Sequence, residues 1–200
     1  MYFETNYKLS IYYKFKIKQE KKREDNKIFW GVCESPIGSL LIFIENENIK
    51  KINFVNNQFN SQKKYNINFL NNSYFYDEKK IHKIRDIIFK TGGKIKIELA
   101  GTKFQIKVWE NIININYGDT LTYSDISNKI NSPKSYRAVA NACNSNQIGF
   151  LIPCHRLINK NGKLGGYKWG FKKKEEILRF EKNIRKIKNI SDNLFYYQKQ

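Results

Sequence analysis

A thiol and an imidazole stand side by side in the stretch Ile152-Pro153-Cys154-His155-Arg156. A cysteine is a nucleophile as its thiolate, and a neighbouring imidazole and basic groups make the thiolate available near neutral pH. A cysteine taken alone reads as a small buried hydrophobe. The adjacent Pro153, His155 and Arg156 weigh against that reading here. The apolar run Ile148-Gly149-Phe150-Leu151-Ile152 leads into the pair and predicts a buried strand ended by Pro153. Proline cannot donate to a sheet ladder, so Cys154 is expected at a rigid strand end.

The elements around this pair read mostly as helices. Thr102 and Gln105 form a capping box for a helix reaching about residue 115, with Phe104, Val108 and Ile112 on one face. Tyr117-Gly118-Asp119 turns the chain, and Thr122 with Asp125 caps a second helix through Ile130. Ser132 is a good N-cap and Pro133 suits the first position of a third helix ending near residues 143–145. Two short helices joined at Asn131-Ser132 make a helix-turn-helix pattern. A Gly-rich turn (Gly162, Gly165, Gly166) and a basic helix from residue 171 to about 187 follow, then a frayed tail over 188–200.

The third helix has an unusual composition, Arg137-Ala138-Val139-Ala140-Asn141-Ala142-Cys143. A helix that reads base edges in the major groove offers several Asn, Gln, Arg or Lys side chains. This one offers close approach and one long cation, which suits a minor-groove contact that distorts DNA. The other reading is a packed core helix, favoured by the three alanines and opposed by Arg137 in the first turn.

The first half is patterned differently. Residues 1–27 read as a basic extension, with a strand at 9–17 and a solvated charged run at 18–25. Runs at 29–33, 39–44 and 49–55, separated by Ser35-Pro36-Ile37-Gly38 and Glu45-Asn46-Glu47-Asn48, predict an antiparallel meander. Residues 56–72 are Asn-rich and irregular. Ile81, Ile84, Ile87 and Ile88 predict a helix over 77–90 that Gly92-Gly93 stops, and 94–99 reads as a further strand. The chain divides at Ala100-Gly101, giving an N-terminal domain over 28–100 and a C-terminal domain over 101–187.

The 37 Lys+Arg outnumber the 18 Asp+Glu, for a formal charge of +19, which favours polyanionic partners such as nucleic acid or an anionic membrane surface. Only six of the basic residues are Arg, and Lys, Asn and Ile abound, so compositional drift explains the charge equally well. Three cysteines without metal-type spacing and two histidines predict neither a zinc site nor a disulfide framework, which fits a reducing compartment. No apolar run approaches the ~20 residues of a membrane span, and the N-terminus is not a secretory signal, so a soluble intracellular protein is expected.

Taken together, these residues resemble the methylated-DNA–protein-cysteine methyltransferases, which repair 6-O-alkylguanine. The resemblance runs from Gly101-Thr102-Lys103-Phe104-Gln105-Ile106-Lys107-Val108-Trp109 through Tyr117-Gly118-Asp119-Thr120, Tyr123, Ser132-Pro133-Lys134-Ser135-Tyr136-Arg137-Ala138-Val139 and Asn146. It continues through Ile152-Pro153-Cys154-His155-Arg156 and Gly166-Tyr167-Lys168-Trp169-Gly170 to Glu181, and Ser35-Pro36-Ile37-Gly38-Ser39-Leu40 resembles the family's N-terminal domain.

The resemblance implies an α/β (α+β) protein with an N-terminal ribonuclease H-like domain, built on an antiparallel sheet, and a C-terminal winged helix-turn-helix domain. It implies single-use transfer of an alkyl group from 6-O-alkylguanine, and from 4-O-methylthymine, to Cys154, with no cofactor or metal. His155 is then the base, acting through a water, Glu181 orients it, and Asn146 braces the site. Tyr123 matches the residue that lies against the 3′ phosphate and protonates the departing guanine. Arg137 matches the finger that fills the stack once the damaged nucleotide has rotated out. Ala138 and Arg156 join the DNA- and substrate-contacting set, and Tyr167 and Lys174 match positions lining the pocket. The implied partner is double-stranded DNA, held through its minor groove by a monomer in the cytoplasm, or in the nucleus of a eukaryote. Asn116 stands where the family often has proline, and Trp169 where some members have a small residue, which predicts a narrower pocket. Two other readings are an alkyltransferase-like damage-binding protein, which lacks the cysteine present here, and a helix-turn-helix regulator, which the small-residue helix disfavours.

Overall fold

The computed structural model describes residues 9–17, 26–55 and 73–197. The charged run at 18–25 and the Asn-rich segment at 56–72 lie outside the described residues. Strands β1 (Leu9–Ile17), β2 (Ile28–Cys33), β3 (Leu40–Glu45), β4 (Asn48–Phe54), β5 (Tyr74–Tyr76) and β6 (Gly93–Gly101) form one sheet in the order β1-β6-β4-β3-β2-β5. The meander is β2-β3-β4, turned between β3 and β4 by Asn46 and Glu47 at φ 49° and 62°, as a tight hairpin turn requires. The sheet as a whole is mixed, not antiparallel: β1 and β4 pair in parallel with β6, and β5 in parallel with β2. Strand β1 runs alongside β6 from Leu9↔Gly93 to Ile17↔Gly101, so part of the predicted extension is an edge of the sheet.

Helix α1 (Glu78–Asp86) is capped by Asp77 and continues as a wider turn over Ile87–Thr91 before Gly92 ends it. Its Ile81 joins Ile42, Ile44, Ile49, Ile52, Ile95 and Ile97 in a buried cluster that also takes in Val108, Trp109, Ile112, Ile148 and Ile152 from the second half. Each such side chain, fully buried, contributes about 1.5–3 kcal/mol. Alternate residues, Trp30, Leu41 and Phe43, form a separate smaller cluster. On β6, Glu98 alternates with the core residues and is paired by Lys16 and Lys50.

Both predicted capping boxes are present, at the start of α2 (Lys103–Ile113) and of α3 (Tyr123–Lys129). Trp109 ties α2 to α4 (Tyr136–Ser145) by a 3.0 Å hydrogen bond to the Ala142 carbonyl. Helix α4 begins at Tyr136 behind Ser135, not at Pro133 behind Ser132. Lys134 takes φ 68°, which no helical turn accommodates, so the helix starts only after it. Strands β7 (Leu121–Thr122) and β8 (Leu157–Ile158) make a two-residue parallel pair that joins the start of α3 to the chain beyond Cys154.

The run 148–152 is a chain of turns, not a strand. Phe150 is at φ 68°, the Ile152 amide donates to the Ile148 carbonyl, and among the described residues the only bridge there is Ile52↔Ile148. Its apolar residues report burial in the core, which a turn satisfies as well as a strand does. Helix α5 (Phe171–Tyr197) extends past the predicted end near 187 into the predicted tail. No helix among the described residues is long and apolar enough to cross a membrane.

Candidate active site

Pro153 leads into a single tight turn, Cys154–Arg156, whose three side chains are all buried. The loop is held from two sides. Asn146, the residue that ends α4, donates through Nδ2 to the carbonyls of Ile148 (3.3 Å) and Ile152 (3.1 Å), and lies 3.4 Å from Cys154 Sγ. Its Oδ1 accepts from the Ile148 amide at 2.8 Å. From the sheet, the Ile52 amide donates to Gln147 O (2.9 Å), and Ile52 O accepts from the Gly149 amide (3.0 Å). Strand β4 is thus a backbone template for the loop that carries the thiol.

His155 Nε2 sits 2.9 Å from Glu181 Oε1, and both residues are fully buried. Arg156 donates to both carboxylate oxygens at 2.6–3.1 Å and to the Ile115 carbonyl. The Gly118 amide adds a bond to Glu181 Oε2 at 3.2 Å, from a turn whose φ of 75° favours glycine. Burial alone would raise the Glu181 pKa, but the bonds from His155 and Arg156 outweigh it and bring it to about 2. Burial lowers the His155 pKa against the pull of Glu181. The imidazole is therefore neutral at neutral pH, with Nε2–H donating to the carboxylate. That leaves Nδ1 as a lone pair, and it has no hydrogen-bond partner among the described residues.

Around this cluster pack α3, the Gly-rich turn and the start of α5. Tyr123 donates its hydroxyl to Gly166 O at 3.3 Å, and a Cβ on Gly165 would lie 2.9 Å from the Tyr123 ring, so a side chain there would displace that ring. Lys174 is fully buried with its ammonium on the carbonyls of Leu157 (2.5 Å), Gly165 (3.2 Å) and Gly166 (3.4 Å). Burial lowers its pKa to about 8. The Phe150 and Tyr167 rings flank His155, Phe150 stacked at 6.0 Å and Tyr167 edge-on at 6.2 Å. Trp169 packs on Tyr167 and on Phe54 of β4. Burial pushes the phenols of Tyr123 and Tyr167 up, so both stay hydroxyl donors at neutral pH.

Helix α4 is amphipathic. Val139, Ala142 and Cys143 face the core, while Tyr136, Arg137, Ala138 and Asn141 are exposed. The small residues thus serve both readings offered by the sequence, packing on one side and close approach on the other. Arg137 lies over the Tyr136 ring at 5.8 Å.

A family model described as the DNA-binding domain of 6-O-methylguanine DNA methyltransferase matches residues 103–183. A methylated-DNA–protein-cysteine methyltransferase of Methanosarcina acetivorans is 37% identical over 161 residues, covering 77% of this chain and 98% of that protein. The chain belongs to the methylated-DNA–protein-cysteine methyltransferase family. A probable member from Acanthamoeba polyphaga mimivirus is 52% identical over 88 residues, covering 44% of this chain and 58% of that protein. The Saccharomyces cerevisiae methylated-DNA–protein-cysteine methyltransferase is 47% identical over 91 residues, covering 45% of this chain and 48% of its own length. In structure, the chain is similar to Mycobacterium tuberculosis OGT in complex with DNA, with a TM-score of 0.61, 28% identity and coverage of 78% of this chain and 93% of that one.

For a member of this methyltransferase family, the structure brings Cys154, His155, Glu181 and Asn146 into one buried cluster and leaves Arg137 and Ala138 on the surface. Arg156, which the resemblance puts in the DNA- and substrate-contacting set, is 5% exposed and bonded to Glu181, as a buried carboxylate needs a cationic partner. Cys143 was not singled out, yet its thiol is hydrogen-bonded to Cys154. That contact, with burial, raises its pKa well above the usual range. Its place with Val139 and Ala142 on one helical face was the available signal. Lys168, whose ammonium reaches Asn146 O at 2.7 Å, has as its signal in the chain only its place in the stretch Gly166-Tyr167-Lys168-Trp169-Gly170 that resembles the family.

Proposed function

We propose that this protein repairs DNA directly by moving an alkyl group from 6-O-alkylguanine, and from 4-O-methylthymine, to Cys154, once per molecule. The observation that carries the reading is a thiol fixed by the Asn146 amide and followed in sequence by an imidazole tied to an ionised Glu181. The Cys154 proton passes through a water to His155 Nδ1, and Glu181 stabilises the resulting imidazolium. Sulfur attacks the alkyl carbon, an S–C bond forms, and the carbon–oxygen bond to guanine breaks. Tyr123 donates its phenolic proton to the leaving base. A thioether remains, and nothing in the cluster returns it to a thiol.

The alkylated oxygen is out of reach inside a duplex, so the nucleotide must rotate into the pocket. The exposed face of α4 meets the minor groove, Arg137 occupies the vacated stack, and Ala138 allows close approach. Tyr167 and Lys174 shape the pocket, Lys174 by gathering the three carbonyls of its floor. The compartment that suits this work is the cytoplasm, or the nucleus in a eukaryotic cell. Intact-mass measurement after incubation with excess methylated duplex tests the reading. One added methyl group, mapped to Cys154, is expected. No added mass, or turnover beyond one group per protein, overturns it.

A further inference from the structure

Lys168 lies between Tyr167 and Trp169, and its side chain turns back toward the end of α4. Nζ donates to the Asn146 carbonyl at 2.7 Å, at the end of the ten-residue α4, and lies 5.3 Å over the Trp169 ring. The C-terminal end of a helix presents unpaired carbonyls and partial negative charge, which a cation there satisfies. Asn146 is the same residue whose amide lies 3.4 Å from Cys154 Sγ and bonds the carbonyls on both sides of the 148–152 turns. Its side chain makes every one of those bonds from a main chain that Lys168 holds. Trp169 is anchored in turn on β4, by Nε1 donating to Asn53 Oδ1 at 3.3 Å and by its packing on Phe54.

We infer that Lys168 is a positioning residue: it straps the pocket wall at 167–169 onto the end of α4 and so holds the Asn146 amide on the sulfur of Cys154. The role is mechanical and electrostatic at once. Besides Asn146, the charged or titratable groups acting on Lys168 are Lys51 of β4, which opposes its charge, and Cys154, which favours it. One strap thereby links the DNA-facing helix, the pocket wall and the nucleophile. This rests on the reading of Cys154 as the alkyl acceptor.

The test uses the full chain with Lys168→Met, Lys168→Arg and Lys168→Gln. Single-turnover rates are measured on methylated duplex and on the free alkylated base, alongside duplex affinity against salt and the melting temperature. Lys168→Met is expected to slow transfer on both substrates by about 10–100-fold, the cost of a small misplacement at a reacting centre. Lys168→Arg, which still reaches a single carbonyl with a charged donor, should regain most of the rate. Should Lys168→Met fail to fold, Lys168→Gln keeps a donor without the charge and is expected to fall between Arg and Met in rate.

The parent rate in Lys168→Met or Lys168→Gln overturns the inference. So does a loss confined to duplex with a shallower salt dependence, which would make Lys168 a phosphate contact. A parent protein that gains no methyl group would instead sink the acceptor reading itself.

Discussion

The buried cluster around Cys154 and the exposed face of α4 are built on opposite principles. In the cluster, Cys154, His155, Arg156, Asn146, Lys174 and Glu181 are each no more than 5% exposed, and all but Asn146 can carry charge. Buried charges are tolerated only when paired and hydrogen-bonded, and here Glu181 has His155, Arg156 and the Gly118 amide, while Lys174 has three carbonyls. On the α4 face, Tyr136 is 43% exposed and Arg137 lies over its neighbour's ring. On the proposed reading, chemistry sits where each group has one place to be, and recognition where side chains are exposed to a partner. Damage to the first should change rate without changing binding, and damage to the second the reverse.

The largest expected effect is that of Cys154→Ala. It should abolish transfer and leave duplex affinity nearly intact, since phosphate contacts dominate affinity. A large loss of binding would break the separation. Next come His155→Ala and Glu181→Gln, expected to slow transfer by about 10²–10⁴-fold, the usual worth of a general base. Because burial lowers the His155 pKa, the parent rate should fall to half its plateau below pH 6.5. A fall already complete at that pH would mean that another group is the base.

Arg137→Ala tests the exposed face. Losing the wedge that offsets unstacking, about a few kcal/mol, should slow repair of duplex and leave reaction with the free alkylated base close to the parent rate. Equal losses on both would place Arg137 in the pocket or the fold. A smaller effect concerns acid stability. Glu181 has a folded pKa near 2 against an ordinary 4.5, so its contribution is complete above pH 4.5 and is lost as pH falls toward 2. Urea unfolding across that window should show a slope shallower by up to about one proton in Glu181→Gln. An unchanged slope would mean that Glu181 is not the paired carboxylate described. The smallest effect is that of Lys134→Ala, which should weaken binding to all DNA and reduce the salt slope by about one. A loss of discrimination with no change in slope would make Lys134 a reader of bases.

Local chemistry was legible in the chain wherever the deciding partners are near neighbours. Both capping boxes formed as written, because Thr102 with Gln105 and Thr122 with Asp125 satisfy each other's amides within one turn. The adjacency of Cys154 and His155 and the small-residue pattern of α4 were equally local. What the tertiary structure alone decided involves partners far apart in the chain. The parallel pairing of β1 with β6 brings together residues more than eighty positions distant. The apolar run 148–152 signalled burial, and only β4 and the bend at Phe150 decided that burial takes the form of turns. The resemblance puts Arg156 in the DNA- and substrate-contacting set, and only the fold brings it to Glu181, twenty-five residues on. Lys168 acquires a role only because the pocket wall folds back onto the end of α4. Hydrogen bonds within a turn are encoded by spacing, but the partner of a buried charge or a free carbonyl is whatever the fold brings within 3 Å, and spacing does not carry that information.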